Sequence, residues 1–316
     1  MSLMETIAHG YAIRPQRPDE VARVAELIVR IDEHLSGFSD FSEEDLRELD
    51  RHPRFNFETD SWVVSAGNEI VGYARAWEED ENGVFESFGL VDPDHTQRGI
   101  GALLVANQEA RVREAALGTG RPVSLRAFVD VNDDLGTKLL SASGYEMVRR
   151  HYTMTTALEG LPTAAGAPHG ITIRTASLDE APLVHELVED VFSDHWGHVP
   201  MPYDQWSEMV LKRADVDPSL WFIAEEKSEP VAILVADTDD SRGWVSDLGV
   251  RSNWRRRGIA RFLLLTCFAE FQRRGLGEAA LGVDAGNETG AVALYEAVGM
   301  RPIKIYETYE KTFQSA

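Results

Sequence analysis

Apolar positions along this chain recur in two rhythms, and the order in which the rhythms alternate predicts an α/β protein. From residue 171 the pattern is clearest. Ile171-Thr172-Ile173-Arg174 alternates as a strand, and Ser177-Leu178-Asp179-Glu180 is a capping box with Pro182 in the first turn of a helix that runs to about Val191. A second helix is predicted from Asp204 to Lys212. Trp221–Ala224 and Val231–Val235 are β-rich runs joined by Lys227-Ser228-Glu229-Pro230, a hairpin connection. A strand over Val245–Val250 follows, then a tight turn and a long apolar helix to about Arg274. Ala279–Val283 reads as a buried strand, Asn287 as the cap of a helix through Ala291, Leu294 and Tyr295 to Gly299, and Ile303–Tyr309 as the closing strand.

The same succession occurs earlier. Ile13-Arg14, Asp19-Glu20 and Glu26-Leu27 recur at a shift of 160 positions as Ile173-Arg174, Asp179-Glu180 and Glu186-Leu187. Gly99 and Gly258 are 159 apart, and Asn132 and Gly144 match Asn287 and Gly299 at 155. Landmarks in one order with small drift at loops indicate a duplicated domain. Residues 1–158 and 171–316 are read as the two domains, and 159–170, rich in Pro, Gly and Ala, as the linker.

Each copy contains a strand, a glycine turn and a helix: Glu86–Val91 before Thr96-Gln97-Arg98-Gly99-Ile100-Gly101, and Val245–Val250 before Arg255-Arg256-Arg257-Gly258-Ile259-Ala260. Such a turn aims unpaired backbone N–H groups and the positive end of a helix dipole outward, which suits a pyrophosphate. The pattern resembles the (Gln/Arg)-x-x-Gly-x-(Gly/Ala) signature of the GCN5-related N-acetyltransferases (GNAT), in which that loop holds coenzyme A. The second copy fits throughout. Thr96 departs from the first place of the first copy.

The resemblance implies two tandem GNAT-fold domains of the α/β (α+β) class, each a mixed, splayed central sheet flanked by helices. It implies acetyl-CoA as cosubstrate, bound in the second copy by Leu248, Gly249, Val250, residues Arg255 to Ala260 and Asn287, and in the first by residues Thr96 to Gly101. An amine then attacks the thioester directly, with backbone N–H groups near Gly249 and Val250 facing the oxyanion. Tyr295 matches the family tyrosine that protonates the departing sulfur, or is an ordinary tyrosine of an amphipathic helix. Asp247 stands where such enzymes often place a general base, and could equally cap or pair with a neighbour. His195 and Trp196 lie where the family lines its acceptor pocket, with a core or capping histidine as the alternative. Tyr306 and Tyr309 either face that cavity or alternate between sheet faces.

Leu140 falls at the place of Tyr295, and leucine cannot donate a proton. With Thr96, this points to a degenerate first domain and catalysis in the second. Two such domains on one polypeptide, the better motif downstream, is the plan of tandem actinobacterial acetyltransferases, mycothiol synthase among them. Matched through Leu248-Gly249-Val250, the place of that enzyme's glutamate holds Trp244. The reading is therefore an N-acetyltransferase for a small-molecule amine, with mycothiol synthase proper and a non-catalytic acyl-CoA sensor or scaffold as rivals.

Charge narrows the partners. With 53 Asp and Glu against 31 Lys and Arg, net −22, nucleic acid is not an expected partner. A single cysteine, Cys267, inside an apolar helix excludes an intrachain disulfide and any multi-cysteine metal site, and no metal is expected. No apolar stretch approaches the ~20 residues of a membrane span, so no membrane partner is expected. A cytoplasmic monomer or homodimer is the expectation.

Overall fold

The computed structural model describes residues 10–79, 83–161, 166–213, 216–238, 242–286 and 289–315. In chain order the first repeat forms β1 (Tyr11–Pro15), α1 (Val21–Ser36), α2 (Glu43–Asp50), α3 (Phe57–Asp60), β2 (Ser61–Ala66), β3 (Glu69–Glu78), β4 (Val84–Val91), α4 (Ile100–Thr119), β5 (Val123–Asp130), α5 (Asp134–Ala142) and β6 (Glu146–Ala157). The second forms β7 (Ile171–Thr175), α6 (Ala181–Phe192), α7 (Tyr203–Val210), β8 (Trp221–Glu226), β9 (Glu229–Thr238), β10 (Arg242–Val250), α8 (Ile259–Arg273), β11 (Glu278–Asp284), α9 (Ala291–Ala297) and β12 (Arg301–Phe313).

Contacts divide the chain into two compact units, Met1–Arg150 with Ile305–Ala316, and His151–Lys304. Sequence repeat and compact unit are thus different divisions of one chain. The sheet of the first unit runs β1-β2-β3-β4-β5-β12, and the last strand of the chain pairs antiparallel with β5 from Tyr306 opposite Asp130 to Phe313 opposite Val123. In the second unit the order is β7-β8-β9-β10-β11-β6, with Ala157 opposite Glu278 and His151 opposite Asp284. Each sheet is closed by the final strand of the other repeat.

One parallel pair in each otherwise antiparallel sheet diverges. The β4–β5 pair ends at Phe88 and Phe128, although the strands continue to Val91 and Asp130. The β10–β11 pair ends at Val245 and Leu281, while those strands run on to Val250 and Asp284. This is the splay expected of the fold, and it leaves main-chain groups facing a gap that a peptide-like ligand can pair with.

Helices cover both faces of each sheet. In the second unit, Leu263, Leu264, Phe268 and Phe271 of α8 pack with Leu234, Val245 and Leu281, while Val184, Leu187 and Val191 of α6 cover Trp221, Ile223 and Ile233 on the other face. Each such side chain taken from water contributes about 1.5–3 kcal/mol. Cys267 is fully buried within α8, and burial pushes its thiol well up, so it packs as a small hydrophobe.

Several elements differ from the sequence reading in extent. The hairpin connection narrows to Lys227 and Ser228, both left-handed (φ 53° and 66°), and Pro230 lies inside β9. α7 covers Tyr203–Val210, and β12 continues past Tyr309 because Glu310 pairs with Arg126 across the β5 ladder at 2.9 Å. Among the described residues, no helix is long and apolar enough to cross a membrane.

Candidate active site

The turn before α8 is built from alternating backbone conformations. Arg255 is extended (φ −61°, ψ 159°), Arg256 is left-handed at φ 64°, and Gly258 caps the helix at φ 81°. The helical ladder begins with the Phe262 N–H donating to the Gly258 carbonyl at 3.0 Å, so the preceding amides have no acceptor within the helix. A left-handed non-glycine residue costs on the order of 1–3 kcal/mol, and such strain gathers at ligand-binding loops.

The three arginines of the turn divide their work. Arg255 Nε donates to the Val250 carbonyl at 3.0 Å and pins the turn to the end of β10. Arg257 pairs with Glu226 at 2.6 Å, and Trp254 Nε1 donates to the same carboxylate at 2.9 Å. These two partners hold the Glu226 carboxyl down at about 2. Arg256 has no hydrogen-bond or ion-pair partner among the described residues, which leaves its charge available to an anion.

Beyond the turn, β10 carries a bulge. Val245 stands opposite Ala236 and Asp247 opposite Val235, so Ser246 is the extra residue. A bulge re-aims the side chain next along the strand, which here is that of Asp247. Its half-buried carboxyl has no hydrogen-bond or ion-pair partner among the described residues. Burial first, then the nearby Asp237 and Glu189, push it up to about 6. Gly249, two residues on, is demanded by packing: a Cβ there would lie 2.1 Å from Cγ2 of Val191 on α6.

Tyr295 lies on α9, 7% exposed, and its hydroxyl has no partner among the described residues. Burial pushes its pKa up to about 12, so the phenol keeps its proton at physiological pH. His195 packs edge-on against Phe192, with ring centroids 4.6 Å apart. Its pKa is lowered, first by burial and then by the positive charge of Arg255. Trp196 is 39% exposed on the same loop. Beside them His198 meets Glu189 at 3.1 Å, and His185, Tyr203 and Trp206 form an aromatic cluster in which Tyr203 and Trp206 stack at 5.9 Å.

Two further groups of sequence candidates stand apart. Tyr306 and Tyr309 lie in the first unit, in register with Asp130 and Ala127, and the Tyr309 hydroxyl donates to Glu307 at 3.1 Å. They lie on β12, which pairs with β5 in the first unit. Asn287 is outside the described residues.

The first unit keeps the backbone of the turn and changes its side chains. Thr96 is extended, Gln97 is left-handed at φ 58°, and Gly99 caps α4 at φ 84°. Here Arg98 turns back to donate to the Tyr11 hydroxyl at 2.6 Å and the Asp94 carbonyl at 3.0 Å, while Tyr11 also meets His95 at 2.8 Å. β4 has no bulge. Arg75 on β3 is fully buried beneath Phe55 (4.0 Å) and Trp77 (4.9 Å), bonded to Asp50 at 3.0 Å and the Leu49 carbonyl at 2.9 Å. This filling escaped the sequence reading; its one signal is an arginine inside the apolar run Ile70–Trp77.

Known proteins share the same outline. The model of the acetyltransferase (GNAT) family matches residues 27–135 and 181–300. A mycothiol acetyltransferase of Catenulispora acidiphila is 26% identical over 313 residues, covering 94% of this chain and 96% of its own. One from Thermobispora bispora is 29% identical over 249 residues, covering 74% of this chain and 77% of its own. Among solved structures, a GCN5-related N-acetyltransferase from Sphaerobacter thermophilus superposes with a TM-score of 0.84 at 27% identity, covering 97% of each chain. A tandem GNAT protein from the clavulanic acid biosynthesis pathway shares the fold, with a TM-score of 0.70 at 18% identity over 96% of this chain and 98% of its own.

Proposed function

The chain belongs to the acetyltransferase (GNAT) family and is an N-acetyltransferase, and from that premise we propose that it moves the acetyl group of acetyl-CoA to a small-molecule amine, with the chemistry in the second unit. One contrast between the units carries this reading. In the second, a strand bulge, an unpartnered carboxyl and an unpartnered phenol accompany the splay; in the first, the register position of Asp247 holds Phe88, and the place of Tyr295 holds Leu140.

In the proposed mechanism, main-chain amides at the start of α8 and the Arg256 guanidinium hold the diphosphate of the cosubstrate. Its pantetheine arm pairs with the main chain exposed between β10 and β11. The amine loses its proton to Asp247, directly or through a water, and its nitrogen attacks the thioester carbon. A carboxyl near 6 is ionised at neutral pH yet basic enough to take a proton as the carbon–nitrogen bond forms. Backbone N–H groups by Gly249 and Val250 receive the oxyanion, and as the carbon–sulfur bond breaks Tyr295 gives its proton to the sulfur. Burial of Tyr295 favours this role, because a phenol at about 12 is a neutral donor at every working pH.

The relatives support a second reading, a mycothiol acetyltransferase, since one of them covers 94% of this chain. Trp244 stands opposite Asp237 in the register that Glu86 holds opposite Trp77, so an indole occupies the strand position where a glutamate is expected for that reaction. An assay of thiol release from acetyl-CoA by the full chain tests both, with a panel of small amines and the cysteinyl-glucosaminyl-inositol acceptor. Release with none of them leaves the sensor reading standing.

A further inference from the structure

The bulge of β10 is tied to β9 by one side chain, Asp237. The hydroxyl of the surplus residue, Ser246, donates to Asp237 Oδ2 at 2.9 Å. Arg213, on the stretch after α7, reaches the same oxygen at 3.6 Å. Asp247 stands opposite Val235, and side chains two apart on a strand share a face, so Asp237 lies diagonally across from Asp247 on the face that α6 covers. A surplus residue interrupts the ladder, and a side-chain bond across the gap fixes what the backbone alone holds loosely.

The first unit lacks these parts together. β4 has no surplus residue, Trp77 fills the register place of Asp237, and Phe88 fills that of Asp247. Where the candidate base is missing, the bulge and the carboxylate that holds it are missing too.

We propose that Asp237 is a positioning residue for acetyl transfer: through Ser246 it fixes the bulge that aims Asp247, and it keeps a negative charge beside the carboxyl that takes the proton of the amine. This rests on the reading of Asp247 as the base. A like charge opposes ionisation of its neighbour, and Asp237 is, after burial, the largest cause of the upward push on Asp247. Other charges lie around the same carboxyl. Glu189 on α6 acts in the same direction and is itself held by His198 at 3.1 Å and by the Met201 N–H at 3.3 Å. Arg213 opposes Asp237 across their ion pair. β11 carries Glu278 and Asp284 at its two ends, and its pairing with β10 stops at Val245, short of Asp247. On β10 itself Arg242 lies at the far end, over the Trp244 ring at 5.6 Å. Of the two carboxylates that act on Asp247, Asp237 is the one bonded to the bulge.

Two substitutions of opposite sign test the proposal in the full chain. One readout is the titration midpoint of the carboxyl carbon signal that Asp247→Asn removes from the NMR spectrum; the other is the acid limb of kcat/KM with an amine from the panel above that releases thiol. Asp237→Asn can still accept from Ser246 and loses the charge, so midpoint and limb should both move down by roughly half a unit or more. Arg213→Met uncovers the charge of Asp237, and both should move up. Ser246→Ala keeps the charge and removes the bond, so kcat at pH 8 should fall by roughly threefold or more, with KM for acetyl-CoA unchanged. A midpoint that stays in place in Asp237→Asn, or that moves down in Arg213→Met, overturns the proposal, as does a Ser246→Ala chain with full kcat. A midpoint that moves as expected while the limb stays fixed supports the coupling of the two carboxyls and overturns instead the reading of Asp247 as the base. Should Asp237→Asn fail to fold, Arg213→Met, at a partly exposed side chain, decides alone.

Discussion

Phe88 and Asp247 hold the same register position in two copies of one strand, Phe88 opposite Arg75 and Asp247 opposite Val235. One copy places an aromatic ring beside Tyr73 (5.8 Å) and a buried guanidinium; the other places an ionisable carboxyl just past a bulge. This exchange puts different burdens on stability and on chemistry.

Asp247→Asn is expected to lower kcat/KM by ~10²- to 10⁴-fold, within the range for a positioned base. In the unaltered protein, activity should fall as pH drops through about 6, where the carboxyl takes up a proton. Steady-state rates between pH 5 and 9 check this; a flat profile removes Asp247 from the reaction.

The same carboxyl makes a prediction about stability. Its ordinary value is 3.8 and its folded value about 6, so the folded state binds the proton more tightly. Its penalty is absent below about pH 4, grows as pH rises through 6, and is complete above. Asp247→Asn should therefore melt higher than the unaltered chain at pH 8 and alike at pH 4, as measured by calorimetry.

Tyr295→Phe keeps the ring that packs with Leu281 and Val298 and removes only the hydroxyl. Turnover should fall by ~10²- to 10⁴-fold while KM for acetyl-CoA changes little. Equal activity would leave the sulfur to be protonated by another group.

Gly258→Glu places a carboxylate against the diphosphate at a residue with φ 81° and with nothing within 4 Å of its Cβ. The left-handed backbone costs a glutamate on the order of 1–3 kcal/mol, so the chain should melt lower yet stay folded and lose measurable affinity for acetyl-CoA, as read by equilibrium dialysis with Gly258→Ala as the control for backbone strain. Binding that survives would exclude this turn as the coenzyme site.

Arg75→Met strands a buried partner, since Asp50 is already pushed up by burial and is drawn down chiefly by that guanidinium. Denaturant melts should show a loss of about 3–5 kcal/mol, as for other broken buried pairs, with much of it restored when Asp50→Leu is added. Acetyl transfer at 25 °C should persist, because neither residue belongs to the second unit.

Much of the architecture is legible in the sequence. The 160-residue period and the glycine turns follow from apolar rhythm and motif, because each repeat must bury the same faces, and the splayed strands follow only from the family that those motifs resemble. The bulge is not, since Val245 to Val250 reads as unbroken strand and only the partner β9 reveals that Ser246 is surplus. Nor is the pairing of β6 and β12: alternation tells which face of a strand is apolar and says nothing of which neighbour it joins. Position along the chain does not tell that Tyr306 and Tyr309 stand opposite Asp130 and Ala127 of β5. Arg75 and Phe88 show a third limit, as a guanidinium among hydrophobes declares itself only once Asp50 and Phe55 are seen around it.

The exchange of closing strands also sets a timetable for the newborn chain. Residues 306–313, which complete the edge of β5, are synthesised more than 170 positions after it. The earlier half must wait on the ribosome with that border bare, while the later half finds its own border, residues 151–157, already made. Cutting the polypeptide at 159–170 would not liberate two finished proteins, for each fragment would carry away the piece its sibling lacks.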